Sequence, residues 1–291
     1  MKAPSSRRLA IITDPAMPEL QPDDLGLPAA FGRLGVEAEA LPWGAPCPPE
    51  RYGAALVRTP WEYFLQPDQF LTWIESLEVQ VLNAPEVLRW NHDKRYLLEL
   101  AGSGAARIPA TALVTPDDYP LDAEALLRRV GAERGVLKPT VSGGAWRTSV
   151  LTRGGVGPSE SPGEEGQSFL VQAFVEELPR EGEWSLTFLG GEFSHAVLKR
   201  AGAGDFRVQE EHGGTVESLH PPAELVREAR QILHAAPGAV APLYGRVDLV
   251  EAAEGRPYLM ELELIEPELF LRARPGAAAD LAALTAQAAG L

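Results

Sequence analysis

Cysteine is nearly absent: Cys47 is the only one in 291 residues. An intrachain disulfide and a Cys-rich zinc site are therefore excluded. No run of 18 or more apolar residues occurs, which excludes a membrane-spanning helix of ordinary length. The apolar stretch behind the basic start at Met1-Lys2 is too short for a secretory signal, so a cytoplasmic protein is expected. Positive charge is short as well. The chain carries 26 Lys and Arg against 41 Asp and Glu, a net −15. That balance argues against DNA, RNA or an anionic membrane as the main partner. It leaves nucleotides open, because a phosphate site needs only local positive charge and a divalent cation. Lysine is the scarcest cation: Lys2, Lys94, Lys138 and Lys199 are the only four. Where arginine serves by default, the three internal lysines mark candidate places for a compact point charge. What is abundant is ordinary globular material, 45% hydrophobic and 23% charged. Such a chain can bury a sizeable core, as two domains or one lobed enzyme.

The pattern along the chain is mixed α/β. Apolar runs over 7–12, 36–41 and 54–57 read as strands, and 28–35 and 67–78 read as helices. That alternation predicts a small parallel α/β lobe over residues 1–88. A helical stretch from 83 to 100, a strand at 111–114, a helix at 122–130 and a strand at 135–138 build a central lobe over 89–168. It includes a Gly-containing loop at 140–148 and a polar, mobile loop at 153–167. Strand 169–174, hairpins around Gly190-Gly191 and Glu254-Gly255, and helices at 221–234 and 276–289 predict an antiparallel-sheet lobe over 169–291.

Three stretches carry chemistry. In Glu261-Leu262-Glu263-Leu264, residues two apart share a strand face, so both carboxylates point one way and the leucines point to the core. Adjacent carboxylates repel unless a cation or a proton lies between them, and their oxygens suit Mg²⁺ or Mn²⁺. The preceding strand, 243–250, has two possible registers. One sets Asp248 opposite Glu261 and Arg246 opposite Glu263; a shift by one residue sends Asp248 to the other face. Lys138 ends a buried-type strand and opens a Ser/Gly loop whose amides can approach phosphate oxygens, although no Walker A spacing is present. The strand ending in Glu176-Glu177 can offer backbone groups to a base and a carboxylate to a ribose. The five histidines show no ligand spacing; His195 is a candidate acid/base, with a structural role the plainer reading.

Taken in order, Asn91-His-Asp-Lys94, Lys138 with Ser142-Gly-Gly144, Gln172-Ala-Phe-Val175, Gly182-Glu-Trp-Ser185, Gly204-Asp-Phe-Arg207, Arg246-Val-Asp248 and Glu261-Leu-Glu263 with Glu266-Pro267 resemble the ATP-grasp superfamily. The glutathione synthetase-like branch is the nearest in look. Arg58-Thr-Pro-Trp61-Glu-Tyr63 and the Gly182 segment are most similar to the O-ureido-D-serine cyclo-ligase type. The resemblance covers about residues 55–270. It implies an ATP-grasp fold of three lobes and an enzyme that forms a C–N bond. ATP and two Mg²⁺ (or Mn²⁺) ions are implied as cofactors, with a small carboxylate/amine substrate and a possible homo-oligomer. Lys94, Lys138, Ser142, Gly143 and Gly144 would hold the phosphates. Gln172, Ala173, Phe174 and Val175 would flank the adenine, and Glu176, Glu177 or Glu183 would take the ribose, Glu177 first among them. Asp248, Glu261 and Glu263 would bind metal; relatives often carry Asn where Glu263 stands. Arg207, Arg246 and Lys199 would act on the reacting groups. Arg58 and Trp61 would meet the substrate. The implied chemistry is phosphorylation of a carboxylate and displacement of phosphate by an amine. A non-catalytic nucleotide-binding protein and a small-molecule kinase are the alternatives.

Overall fold

The computed structural model describes residues 7–118, 122–154, 167–202, 213–238 and 241–291. Three sheets organise them. β1 (Arg8–Thr13), β2 (Glu37–Pro42), β3 (Ala54–Thr59) and β4 (Gln80–Leu82) pair in the order β2-β1-β3-β4, all parallel. β1 and β3 lie inside this sheet and are almost wholly buried, which is why they read as continuous apolar runs. Helix Pro67–Ser76 covers one face through Phe70, Leu71 and Ile74. Helix Leu27–Gly32 covers the other, together with the terminal helix Ala277–Ala289. The terminal helix thus belongs to the N-terminal sheet, although it was expected in the C-terminal lobe. Its small apolar residues, Ala277, Ala282 and Ala286 with Leu281, pack against Leu27, Ala30 and Phe31.

β5 (Thr111–Val114), β6 (Arg134–Pro139), β7 (Ser149–Thr152) and β8 (Phe169–Ala173) form a second, antiparallel sheet in the order β5-β8-β6-β7. The border expected at 168/169 therefore cuts through a sheet: β8 lies between β5 and β6 and does not open the C-terminal lobe. β9 (Glu183–Leu189), β10 (Glu192–Arg200), β11 (Thr215–Ser218), β12 (Tyr244–Val250) and β13 (Tyr258–Glu263) form the third sheet, antiparallel, in the order β11-β10-β9-β12-β13. Leu186, Phe188, Val247 and Leu262 point to one face. There they join Leu225, Ala229 and Ile232 of helix Ala223–His234 and Tyr96, Leu97 and Leu100 of helix Tyr96–Gly102.

The helix expected over 83–100 is two helices, Pro85–Asn91 and Tyr96–Gly102. Between them the Lys94 amide donates to the Thr140 carbonyl at 2.6 Å, and the Arg95 amide donates to Asp93 Oδ1 at 2.9 Å. The break spends helix hydrogen bonds on a link to the Gly-containing loop. The two helices also close the free edge of β13 and its continuation. Asn91 Nδ2 donates to the Leu262 carbonyl, Asn91 Oδ1 accepts from the Leu264 amide, and the Tyr96 hydroxyl accepts from the Leu262 amide. Side chains thus satisfy an edge that would otherwise expose backbone groups.

Candidate active site

The polar face of the third sheet follows from strand alternation. On β9, Glu183, Ser185 and Thr187 point away from the core side chains Leu186 and Phe188. Register sets Glu183 opposite Lys199 and Ser185 opposite Asp248. It also sets Asp248 opposite Glu261 and Arg246 opposite Glu263, the first of the two registers considered. The pairing then shifts, with Leu249 opposite Leu259, so Met260 is an extra residue in β13. This bulge lets Glu261 keep the polar face while Leu259 returns to the core.

Asp248, Glu183, Glu263 and Glu261 each meet a cation. Asp248 Oδ1 accepts from Ser185 Oγ at 2.7 Å and from Arg246 Nε at 2.9 Å. Its Oδ2 accepts from Arg246 Nη2 at 2.9 Å and from Lys199 Nζ at 3.1 Å. Lys199 also pairs with Glu183 at 2.6 Å, and Arg246 reaches Glu263. Lys94, from the break between the two helices, pairs with Glu261 and donates to the Ser142 carbonyl at 2.9 Å. Burial opposes ionisation of Asp248, but Arg246 and Lys199 outweigh it and hold the carboxyl far below its usual range. Burial likewise opposes ionisation of Glu261, yet Lys94 and Lys138 draw it down. Glu263 goes the other way: burial, with Glu261 and Asp248 nearby, pushes it up to about 7 despite Arg246. Burial and Glu263 push Glu266 up to about 8. The patch therefore holds more acid than its own cations neutralise.

That donor set fits Mg²⁺ or Mn²⁺. Asp248, Glu261 and Glu263 offer only oxygen, at neighbouring register positions, and a bound dication would relieve the excess acidity. Among the described residues, no three His, Cys, Asp or Glu side chains converge as a ready ion cage. Lysine and arginine stand between the carboxylates instead, so an ion must displace some of these contacts.

Lys138 is the exception among the cations. It is the fifth residue of β6, and burial pushes it down to about 8. Among the described residues it makes no ion pair, although the charge of Glu261 acts on it. A half-buried ammonium without an anion in contact is a ready partner for phosphate. The loop after it is built from turns. Trp146 N donates to the Gly143 carbonyl at 2.9 Å and Thr148 N to the Ala145 carbonyl at 3.0 Å. Gly144, Ala145 and Arg147 all have positive φ. Ser142 is buried and its Oγ donates to the Pro139 carbonyl at 3.3 Å.

The residues expected around the base are only partly presented to one. Gln172 is buried and donates to Thr111 Oγ1 at 3.0 Å, and the Ala173 amide donates to the Ala110 carbonyl at 2.8 Å. Both groups are spent within the central sheet. The Phe174 ring lies 4.0 Å under the Arg134 guanidinium, which also pairs with the exposed Glu176. Val175 packs with Leu178, Val250, Tyr258 and Met260 in an apolar cluster that joins the central and third sheets. Glu177 accepts from the Ala253 amide at 3.3 Å at the rim of that cluster, whereas Glu183 is buried under Lys199.

One expectation changes. Arg58 does not open a substrate loop: it is the fifth residue of β3 and is 1% exposed. Its Nε and Nη2 both donate to Asp24 Oδ1 at 3.2 Å, and Nη2 donates to the Pro267 carbonyl at 3.1 Å. The strand runs two residues further than its apolar run, and this carries Arg58 into the interior. His195 is held on both nitrogens, by Ser194 Oγ at 2.9 Å and the Leu269 carbonyl at 2.8 Å, and so has a structural role. Trp61 donates from Nε1 to the Glu266 carbonyl at 3.1 Å. Arg207, with the Gly204-Asp-Phe segment, lies outside the described residues, as do positions 155–166 of the loop expected to be mobile. Sequence reasoning flagged Ser185 and Glu266 only as parts of motifs, although the period-two step from Glu183 could have given Ser185 its place on the polar face.

Comparison with known proteins agrees with this fold. Residues 9–83 match the family model "D-cycloserine synthetase DcsG, N-terminal domain". The cycloserine biosynthesis protein DcsG of Streptomyces lavendulae is 32% identical over 287 residues, covering 90% of this chain and 92% of its own. The crystal structure of D-cycloserine synthetase DcsG superimposes with a TM-score of 0.83 at 28% identity, over 97% of this chain and 99% of that one. An ATP-grasp RimK domain protein from Sphaerobacter thermophilus shares the fold at a TM-score of 0.64 and 18% identity, over 96% and 98% of the two chains.

Proposed function

Because the chain belongs to the D-cycloserine synthetase family of ATP-grasp ligases, we propose that it closes a small amino-acid-like substrate into a ring through an acyl phosphate. It is an ATP-dependent ligase that forms a C–N bond. The observation that carries the finer reading is the meeting of Lys94, Lys138 and the Ser142 loop with the Glu261 strand. Lys94 and the charge of Lys138 meet the Glu261 carboxylate where two sheets approach, which supports a phosphate and dication site there.

In this reading a substrate carboxylate oxygen attacks the γ-phosphorus and the bond to the β-γ bridging oxygen breaks, so ADP leaves. An amine nitrogen then attacks the acyl carbon, inorganic phosphate leaves, and the amine gives up a proton. Lys138 and Lys94 hold phosphate oxygens, and the amides of Gly143 and Gly144 approach them. Arg246 and Lys199 steady charge on the transferring group. Asp248, Glu261 and Glu263 would hold Mg²⁺ or Mn²⁺, which supplies charge neutralisation at the phosphates when bound. Val175 and Met260 pack on the base, and Glu177 is placed for the ribose. No protein nucleophile is needed.

The test is turnover of O-ureido-D-serine with ATP and Mg²⁺, following ADP and D-cycloserine together with the ammonia and CO₂ that water releases from the carbamoyl group on the attacking nitrogen. One ADP per ring closed is expected. ADP release with a stable phosphorylated product would make the protein a kinase. No ADP release over a panel of small amino acids would make it a nucleotide-binding protein only.

A further inference from the structure

The segment after β3 touches two parts of the cleft at once. Trp61 Nε1 donates to the Glu266 carbonyl, just beyond β13. Three residues on, the Phe64 ring packs on the Trp146 ring of the Ser142–Arg147 loop, centroids 5.4 Å apart and planes tilted 48°. The loop is fitted to that ring. A Cβ on Gly143 would stand 3.2 Å from two Phe64 ring atoms and 3.7 Å from the Trp61 carbonyl. A side chain there would push the ring back by a few tenths of an ångström.

The loop needs such a support. Ala145 and Arg147 are held at φ of 58° and 52°, a conformation that L residues with a side chain disfavour. Strained backbone persists only where its surroundings over-determine it. Two turn hydrogen bonds and the Lys94 contact to the Ser142 carbonyl fix the loop from within and from one side. The Arg147 guanidinium lies 4.6 Å from the Trp146 ring centroid. A further restraint crosses from the N-terminal sheet: Phe64.

We infer that Phe64 is a positioning residue for the nucleotide: it touches no phosphate, but by clamping Gly143 and Trp146 it holds the phosphate loop in its working shape. The N-terminal sheet, which contributes no phosphate ligand, thereby sets ATP affinity. The inference rests on the reading that Ser142–Gly144 lie over the phosphates.

The experiment is calorimetric titration of the full-length enzyme with Mg-AMP-PNP, for Phe64→Leu, Trp146→Leu, the double variant, Phe64→Tyr and Lys138→Ala. A half-buried aromatic pair of this kind corresponds to about a 3- to 10-fold change in binding. Each leucine variant should weaken binding by about that factor, the double variant should be no weaker than either single, and Phe64→Tyr should stay within twofold of wild type. Single variants within twofold of wild type, multiplying effects in the double, or a Phe64→Tyr as weak as Phe64→Leu would each overturn the latch. Lys138→Ala separates the two readings. If it binds Mg-AMP-PNP as wild type does, the phosphate assignment itself fails. If it binds weakly while the leucine variants bind normally, only the latch fails.

Discussion

Replacing Arg58 by methionine tests the largest departure from what the sequence suggested. The guanidinium is buried between Asp24 and the Pro267 carbonyl, and its carbon lies 5.3 Å from the Tyr244 ring centroid. Asp24 is buried too, and burial already raises its carboxyl above the usual value despite Arg58. Removing the cation leaves that carboxylate with no compensating charge, at a cost of about 3–5 kcal/mol. For a chain of this size each kcal/mol moves the midpoint by about 2–4 °C, so a fall of about 10 °C is expected. The loss has a pH sign. With its folded pKa raised further, Asp24 stays protonated at low pH and must pay for ionisation as pH rises. Arg58→Met should therefore be closer to wild type at pH 5 than at pH 8. The double variant Arg58→Met, Asp24→Leu replaces the pair by apolar groups and should recover most of the stability. Thermal and urea unfolding at both pH values make the measurement. A single variant that loses less than about 1 kcal/mol would refute the buried-pair argument. A stable double variant whose acceptor KM rises tenfold would restore Arg58 as a substrate contact.

Glu261→Gln should cut turnover by roughly 10²-fold or more, because it removes both a metal oxygen and the partner of Lys94; an unchanged Mg²⁺-dependent rate would count against the metal face. Lys138, held at about 8 by burial, must be protonated to hold phosphate. Mg-ATP affinity should fall as pH rises above about 8, and Lys138→Arg should abolish that fall; a flat wild-type profile from pH 7 to 9 would contradict the assignment. His195 is kept neutral chiefly by burial, its folded pKa lying below the ordinary 6.5. The unfolded chain binds that proton more readily, so stability should drop as pH falls below about 6.5. His195→Asn should flatten the drop, and an equal slope in both proteins would disprove the structural role.

Much of the cleft was legible because strand chemistry is local. The alternation Glu261-Leu-Glu263 assigns faces with no knowledge of the fold, since the period of a strand is two. The same step from Glu183 reaches Ser185. A buried strand ending in Lys138 followed by Ser-Gly-Gly announces a loop that can approach an anion. Composition excluded disulfides and ordinary membrane-spanning helices, and the ordered motifs pointed to the superfamily.

The tertiary structure decided whatever depends on which strand lies beside which. Two registers were open for Asp248, and only the pairing with β13 and β9 sets it opposite both Glu261 and Ser185. β8 reads as an apolar strand wherever it goes; its hydrogen bonds assign it to the central sheet. The terminal helix has an apolar face that any sheet could bury, and the fit of its alanines to Leu27 and Phe31 selects the first. Arg58 shows the limit most clearly. An arginine after an apolar run reads as a surface or substrate residue, because burying its charge is costly. Asp24, 34 positions away in sequence, and the Pro267 carbonyl, 209 away, make that burial tolerable, and partners so distant leave no local trace.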